Sequence, residues 1–222
     1  MNRFAFELSS YTMKTFSGLS RADVRICGKE NVPEGSIIFT ANHFTRIETV
    51  FLPYHIHKLT GKEVWSLAAA DLFEVGVLKA FLENLGAVST GAPDRDEIIL
   101  KTLLGKAVQW IIFPEGMLVK NKKLIKNDAF TLVTDEAEKR PHTGAAILAF
   151  QCEFYRERLR RLKDAGEPEF DRLAREFEIT DIQAVLESQT YIVPVNITYY
   201  PASPRENLAS RIGQILMKDP SK

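Results

Sequence analysis

Cysteine is nearly missing from this chain. The two thiols, Cys27 and Cys152, share no CxxC pair and follow no secretory signal, so neither a disulfide framework nor a zinc knuckle is indicated, and the expected setting is reducing and cytoplasmic. Net charge is missing as well: Lys plus Arg number 29 and Asp plus Glu 29. That balance excludes the strongly basic footprint of a nucleic-acid binder, so no nucleic-acid partner is expected and any anion binding must come from local charge. No stretch approaches the roughly 18 uninterrupted apolar residues of a membrane span. No long Pro/Gly/Ser linker divides the 222 residues, which predicts one domain around one core. Finally, there is no GxSxG and neither cysteine adjoins a histidine, so a covalent acyl-enzyme route has no obvious nucleophile.

What is present is alternation. ADVRICG alternates apolar and polar residues like a strand, NVPEG reads as a turn, and SIIFTA is the short continuous apolar run of a strand covered on both faces. RIETVFLPYHIHKLTG carries a helical stripe ending at Gly61, with Pro53 inside it predicting a kink or an early stop. EVWSLAA is a strand, LFEVGVLKAFLENLG a helix closed by Gly86, DEIILKTLLGK a helix, and AVQWIIF a further buried strand. TGAAILAFQCEFYRERLRRLKDAG reads as helix throughout, two shorter amphipathic pieces follow, and TYIVPVNITYY is again rich in Val and Ile. Strands alternating with helices predict an α/β domain with a mostly parallel central sheet flanked by helices.

His43 stands at the carboxyl end of SIIFTA, where open α/β sheets place ligand-handling residues. Glu48 follows five residues later, and residues five apart on one helix differ by about 140° and cannot face each other. The spacing makes chemical sense if His43 lies in a loop and Glu48 in the first turn of the next helix. The carboxylate then accepts a hydrogen bond from one ring nitrogen, fixes the tautomer and leaves the other nitrogen to take a proton from a substrate hydroxyl. A second constellation is WIIFPEGM: a buried strand stops at Pro114, and Glu115 with Gly116 makes a turn that brings a carboxylate to the same sheet end. Each stretch alone also reads as an ordinary loop or strand-ending turn. His55 and His57 lie two apart on a helix and point apart, so no metal site is expected there.

Together these stretches resemble the glycerophospholipid acyltransferases typified by 1-acylglycerol-3-phosphate acyltransferase. The family's NHxxxxD motif resembles Asn42 to Glu48. FPEG is intact as Phe113, Pro114, Glu115 and Gly116, and the apolar-Pro-apolar motif matches Val193, Pro194 and Val195. Two weaker stretches agree, GKENVPEGSIIFTANH before the first motif and TGAAILA after FPEG, and the likeness runs from about residue 24 to residue 200. The resemblance implies the glycerol-3-phosphate acyltransferase-like fold and an O-acyltransferase that moves a fatty acyl group from acyl-CoA or acyl carrier protein to the free hydroxyl of a lysophospholipid. The usual acceptor is 1-acyl-glycerol-3-phosphate and the product phosphatidic acid. His43 and Glu48 would be the catalytic pair, with Asn42, Phe113 to Gly116, Val193 and Pro194 around the substrate. No metal or cofactor is called for beyond the acyl thioester co-substrate, and the expected location is cytoplasmic, peripheral on the inner membrane face.

Three departures from the family's pattern bear on the site. Glu48 stands where aspartate is usual. The arginine of the second motif, which the family uses for the acceptor's phosphate, has its candidate in Arg95, somewhat later than usual in LGAVSTGAPDRDE. The arginine two residues after FPEG is replaced by Leu118, with Lys120, Lys122 and Lys123 following as point charges for a phosphate or as a solvated loop. The changes at Glu48 and Leu118 motivate the alternative, a catalytically inactive lipid-binding or scaffold protein of the same fold.

Two regions lie outside the motifs. Residues 1–20 place Phe4, Leu8, Tyr11, Phe16 and Leu19 on one helical face, read either as a helix packed on the acyltransferase domain of residues 21–222 or as an interfacial membrane helix. Residues 151–190 read as a helical insertion. Tyr155, Leu159 and Leu162 recur among Arg156, Arg158, Arg160, Arg161 and Lys163, the chain breaks at Gly166 and Pro168, and a more acidic helix carries Phe170, Leu173 and Phe177. Opposite charges close in sequence favour a hairpin of paired arms over a basic arm drawn to anionic lipid. The chain stops at DPSK sooner after the last motif than the family pattern leads one to expect, as a fragment would.

Overall fold

A computed structural model describes residues 23–199 apart from 44, 46–47, 75, 106–107, 117–124, 127–128, 131, 134–137 and 140–141. The helix expected over residues 1–20 lies outside the described residues, as do Leu118, Lys120, Lys122 and Lys123. Five strands form one sheet in the order β3-β2-β4-β1-β9, every neighbouring pair parallel. They are β1 (Ser36–Ala41), β2 (Val64–Ala68), β3 (Ala87–Ser89), β4 (Gln109–Ile112) and β9 (Thr190–Val195). Helices α1 (Glu48–Thr60), α2 (Gly76–Asn84) and α3 (Arg95–Gly105) connect the first four, and α4 (Gly144–Ala165), α5 (Glu169–Glu176) and α6 (Ile182–Glu187) lead into β9. Between β4 and α4 two short antiparallel ladders pair β5 (Ile125–Lys126) with β6 (Ala129–Phe130) and β7 (Leu132–Val133) with β8 (Glu138–Lys139). This is the α/β sheet flanked by helices that the alternation predicts.

The pleat of β1 divides the core. Ile37, Phe39 and Ala41 pack with Leu52 and Ile56 of α1 and with Ile111, while Ile38 turns to the other face with Trp110, Ile112, Ile99, Leu103, Leu148 and Cys152. All of these are buried; at about 25 cal/mol per Å2 of apolar surface, each large side chain contributes ~2 kcal/mol against chain entropy. Helix α1 therefore lies under the face of odd-numbered β1 residues, and His43 continues that parity.

Three expectations are corrected. Residues 23–28 form no strand and Ile26 is 45 % exposed: β4 and β9 already flank β1, so the alternating segment before it cannot pair with β1. Pro53 does not stop α1, which runs on to Thr60. It sits in the helix's second turn, where the bond its missing N–H forgoes reaches back only to Thr49 at the helix start. The helix read over 72–86 is a 3-10 turn over Ala70–Phe73 followed by α2, and after it comes β3, a three-residue edge strand within LGAVSTG that the sequence pattern did not suggest.

The segment after residue 150 folds back on itself. Gly166 ends α4 in the left-handed conformation at φ 67°, Arg158 bridges to Glu169 at 2.7 Å, and Tyr155 meets Phe177 with ring centroids 4.8 Å apart. Leu159, Leu173 and Phe177 are buried beneath that contact. The other described ion pairs of the basic arm, Arg156 with Glu153 and both Arg160 and Arg161 with Glu157, are internal to α4.

Candidate active site

Because the sheet is parallel, the carboxyl ends of β1, β4 and β9 emerge along one edge, and the motif residues follow directly from them. His43 comes two residues after β1 and Glu48 is the first residue of α1. The loop between them lets the two side chains meet: His43 Nδ1 and Glu48 Oε2 are 2.8 Å apart. Glu48 is fully buried, whereas the His43 side chain is 13 % exposed.

A buried carboxylate needs donors, and three of the described residues converge on this one. Besides the imidazole, the backbone N–H of Thr45 donates to Oε2 at 3.1 Å and the Tyr199 hydroxyl donates to Oε1 at 2.9 Å. Tyr199 Oη also lies 3.4 Å from Thr45 Oγ1. Burial, and then the hydrogen bond to the Glu48 carboxylate, pushes the Tyr199 phenol up to about 12, with the Thr45 contact acting in the other direction; it stays a protonated donor at neutral pH.

The FPEG turn closes the site from β4. Phe113 stacks on the His43 ring at 4.3 Å between centroids, and the His43 backbone N–H donates to Glu115 Oε2 at 3.1 Å. Gly116 has φ 65° and lies under His142: a Cβ here would stand 2.8 Å from His142 Nε2, so the turn requires glycine. The His142 N–H in turn donates to the Pro114 carbonyl at 2.7 Å. From β9, Asn42 is bound reciprocally to one residue, its Nδ2 donating to the Ile197 carbonyl at 2.9 Å and its Oδ1 accepting from the Ile197 N–H at 2.6 Å. Both ends of its carboxamide thus tie the exit of β1 to the exit of β9.

The structure therefore brings Asn42, His43, Glu48, Phe113, Pro114, Glu115 and Gly116 together. Val193 packs into the core beside Phe39, and Pro194 is exposed on an edge strand, where its missing N–H breaks no ladder; both shape β9 beneath the site. Arg95 lies apart. It opens α3 beyond β3, three strand spacings or ~14 Å from β1, and its guanidinium is held by the Thr90 carbonyl and Asp96. His55 meets Phe51 in a tilted contact and Tyr54 edge-on, with burial and then Lys58 lowering its basicity, while His57 Nδ1 contacts the Lys62 carbonyl. Tyr199, Thr45 and His142 are residues that the motif reading missed. Tyr199 had one signal: it shares the parity of Val193, Val195 and Ile197, the face that looks toward α1.

Among the described residues no hydrogen bond falls on His43 Nε2. The ring is thus anchored at Nδ1 by a buried acid, flanked by Phe113 and left with one nitrogen that no described residue bonds, which is the geometry of a general base. A family model described as Acyltransferase matches residues 23–198. Comparison with curated proteins and with solved structures gives no match.

Proposed function

This chain belongs to the acyltransferase family, and from that premise we propose that it carries a fatty acyl group from acyl-CoA or acyl carrier protein to the free hydroxyl of a lysophospholipid, with 1-acyl-glycerol-3-phosphate as acceptor and phosphatidic acid as product. His43 Nε2 takes the hydroxyl proton as the alcohol oxygen attacks the thioester carbonyl carbon. The tetrahedral intermediate collapses, the C–S bond breaks, and the imidazolium returns its proton to the departing thiolate. Glu48 holds the tautomer that makes Nε2 the acceptor and stabilises the charged ring between the two proton transfers.

What carries this reading is the 2.8 Å contact between His43 Nδ1 and the fully buried Glu48. The same contact weighs against the inactive scaffold, because the glutamate that departs from the family's pattern still reaches the imidazole. The test is transfer of labelled acyl groups from CoA and carrier-protein thioesters across a panel of lysolipids, read by mass spectrometry. His43→Ala is expected to abolish product while keeping the circular dichroism of the parent; wild-type turnover in that variant overturns the general-base reading, and no turnover by the parent with any donor favours the scaffold.

We propose that the work is done at a membrane surface on the cytoplasmic side, since a lysophospholipid acceptor sits in a bilayer. Supporting this, Ile147, Phe150 and Phe154 recur along one face of α4 and are 53, 77 and 62 % exposed. Among the described residues no helix is long and apolar enough to cross a membrane. Phe150→Asp with Phe154→Asp is expected to weaken sedimentation with lysolipid-containing anionic vesicles; unchanged sedimentation removes this face from the account.

A further inference from the structure

Glutamate has one more rotatable bond than the aspartate usual at this position, so a carboxylate at residue 48 needs more to hold it against the imidazole. The structure supplies it on the oxygen that does not face His43: Oε2 takes the ring nitrogen and the Thr45 N–H, and Oε1 takes the Tyr199 hydroxyl at 2.9 Å. Tyr199 is itself fixed in register, because Asn42, the residue before His43, grips the Ile197 peptide from both sides two positions earlier. The histidine and the tyrosine are thus set by one clamp between the exits of β1 and β9.

We propose that Tyr199 is a positioning residue for the transfer: by donating to Glu48 Oε1 it locks the carboxylate with Oε2 against His43 Nδ1 and so sets both the tautomer and the basicity of the general base. This rests on the general-base reading above. Its hydroxyl also draws charge from the carboxylate. Without it more of the Glu48 charge bears on the ring, although the Thr45 N–H stays in place, and the imidazolium is held more firmly.

Tyr199→Phe keeps the ring and removes the donor. Its kcat is expected to fall about tenfold, the scale of one lost hydrogen bond to a charged group, with both KM values within about twofold. The acid limb of the kcat–pH profile is expected to move to higher pH. In a Glu48→Gln background the same change is expected to cost less than about twofold, since both residues act through one carboxylate. Should Tyr199→Phe fold poorly, 3-fluorotyrosine incorporated at position 199 provides a stronger donor and should move the acid limb the opposite way. An acid limb that stays in place in either variant, or full additivity with Glu48→Gln, overturns the proposal. Full activity in His43→Ala would instead overturn the reading beneath it, so the two failures are distinct.

Discussion

β1 and β9 run side by side from Ser36 opposite Thr190 to Ala41 opposite Val195, and each end of the pair carries a group of polar side chains. At the amino end Arg156 of α4, 2 % exposed, donates to the Val185 carbonyl, Thr190 Oγ1 and Ser36 Oγ and pairs with Glu153. Ser36 Oγ donates onward to the Leu103 carbonyl, and Glu153 accepts from the Thr190 N–H. At the carboxyl end Asn42, His43, Glu48, Thr45 and Tyr199 are joined as closely. The difference lies in what is left over. Every donor of the Arg156 guanidinium is turned inward among α4, α6, β1 and β9, so the cation can only fasten elements together. The carboxyl-end group buries its acid in the same way but ends on an imidazole nitrogen that none of the described residues occupies. A buried charge becomes chemistry when its network stops one atom short of closure.

That contrast breaks cleanly if the two ends are mutated in turn. His43→Ala is expected to lower turnover by about 10²–10⁴-fold with a smaller fall in thermal midpoint than Arg156→Ala, because the Thr45 N–H and the Tyr199 hydroxyl still donate to the buried Glu48 carboxylate. Arg156→Ala is expected to do the reverse. It leaves buried carbonyl and hydroxyl acceptors without their donor and is expected to cost on the order of 3 kcal/mol of stability by denaturant unfolding, while kcat per folded molecule stays at the parent value. A midpoint for His43→Ala as low as that for Arg156→Ala, or a kcat loss in Arg156→Ala at full folding, would erase the division between a fastening end and a reacting end.

How much of this was legible follows from sequence distance. His43 and Glu48 are five residues apart and sit where a strand ends, so local chemistry alone suggested their meeting, and Glu115 came with an intact FPEG. Tyr199 lies 151 residues from Glu48, and its role depends on the register of β9 against β1, which no local pattern encodes. Arg156 read as one of several cations in a basic arm paired with an acidic one; only the packing of α4 onto β1 and β9 turns it inward while Arg161, five residues on, stays exposed. The two misread strands share a cause. ADVRICG alternates but precedes a strand whose two sides are taken by β4 and β9, whereas AVS is too short to show a pattern and is a strand only because β2 offers it an edge.

The smallest effect sharpens the comparison by pH. Next to Arg156, burial pushes the Cys152 thiol from its ordinary 9.0 up to about 12, with the Arg156 cation and a hydrogen bond to Thr190 opposing the rise. At the other end the Tyr199 phenol rises from 10.0 to about 12. Both folded-state values lie above the unfolded ones, so the folded chain keeps these protons while the unfolded chain releases them. The stability involved is fully present below pH ~9 and is lost as pH climbs toward 12. Cys152 begins to contribute near pH 9 and Tyr199 only near pH 10. Cys152 is fully buried while Tyr199 is 45 % exposed and screened by solvent, so the thiol should dominate the slope. Thermal midpoints measured from pH 8 to 11.5 are therefore expected to fall less steeply in Cys152→Ala than in the parent from pH 9 onward, and Tyr199→Phe to flatten only the upper part and by less. Equal slopes in Cys152→Ala and parent would mean that the fastening end admits enough water to ionise its thiol, and the closure that separates it from the reacting end would be lost.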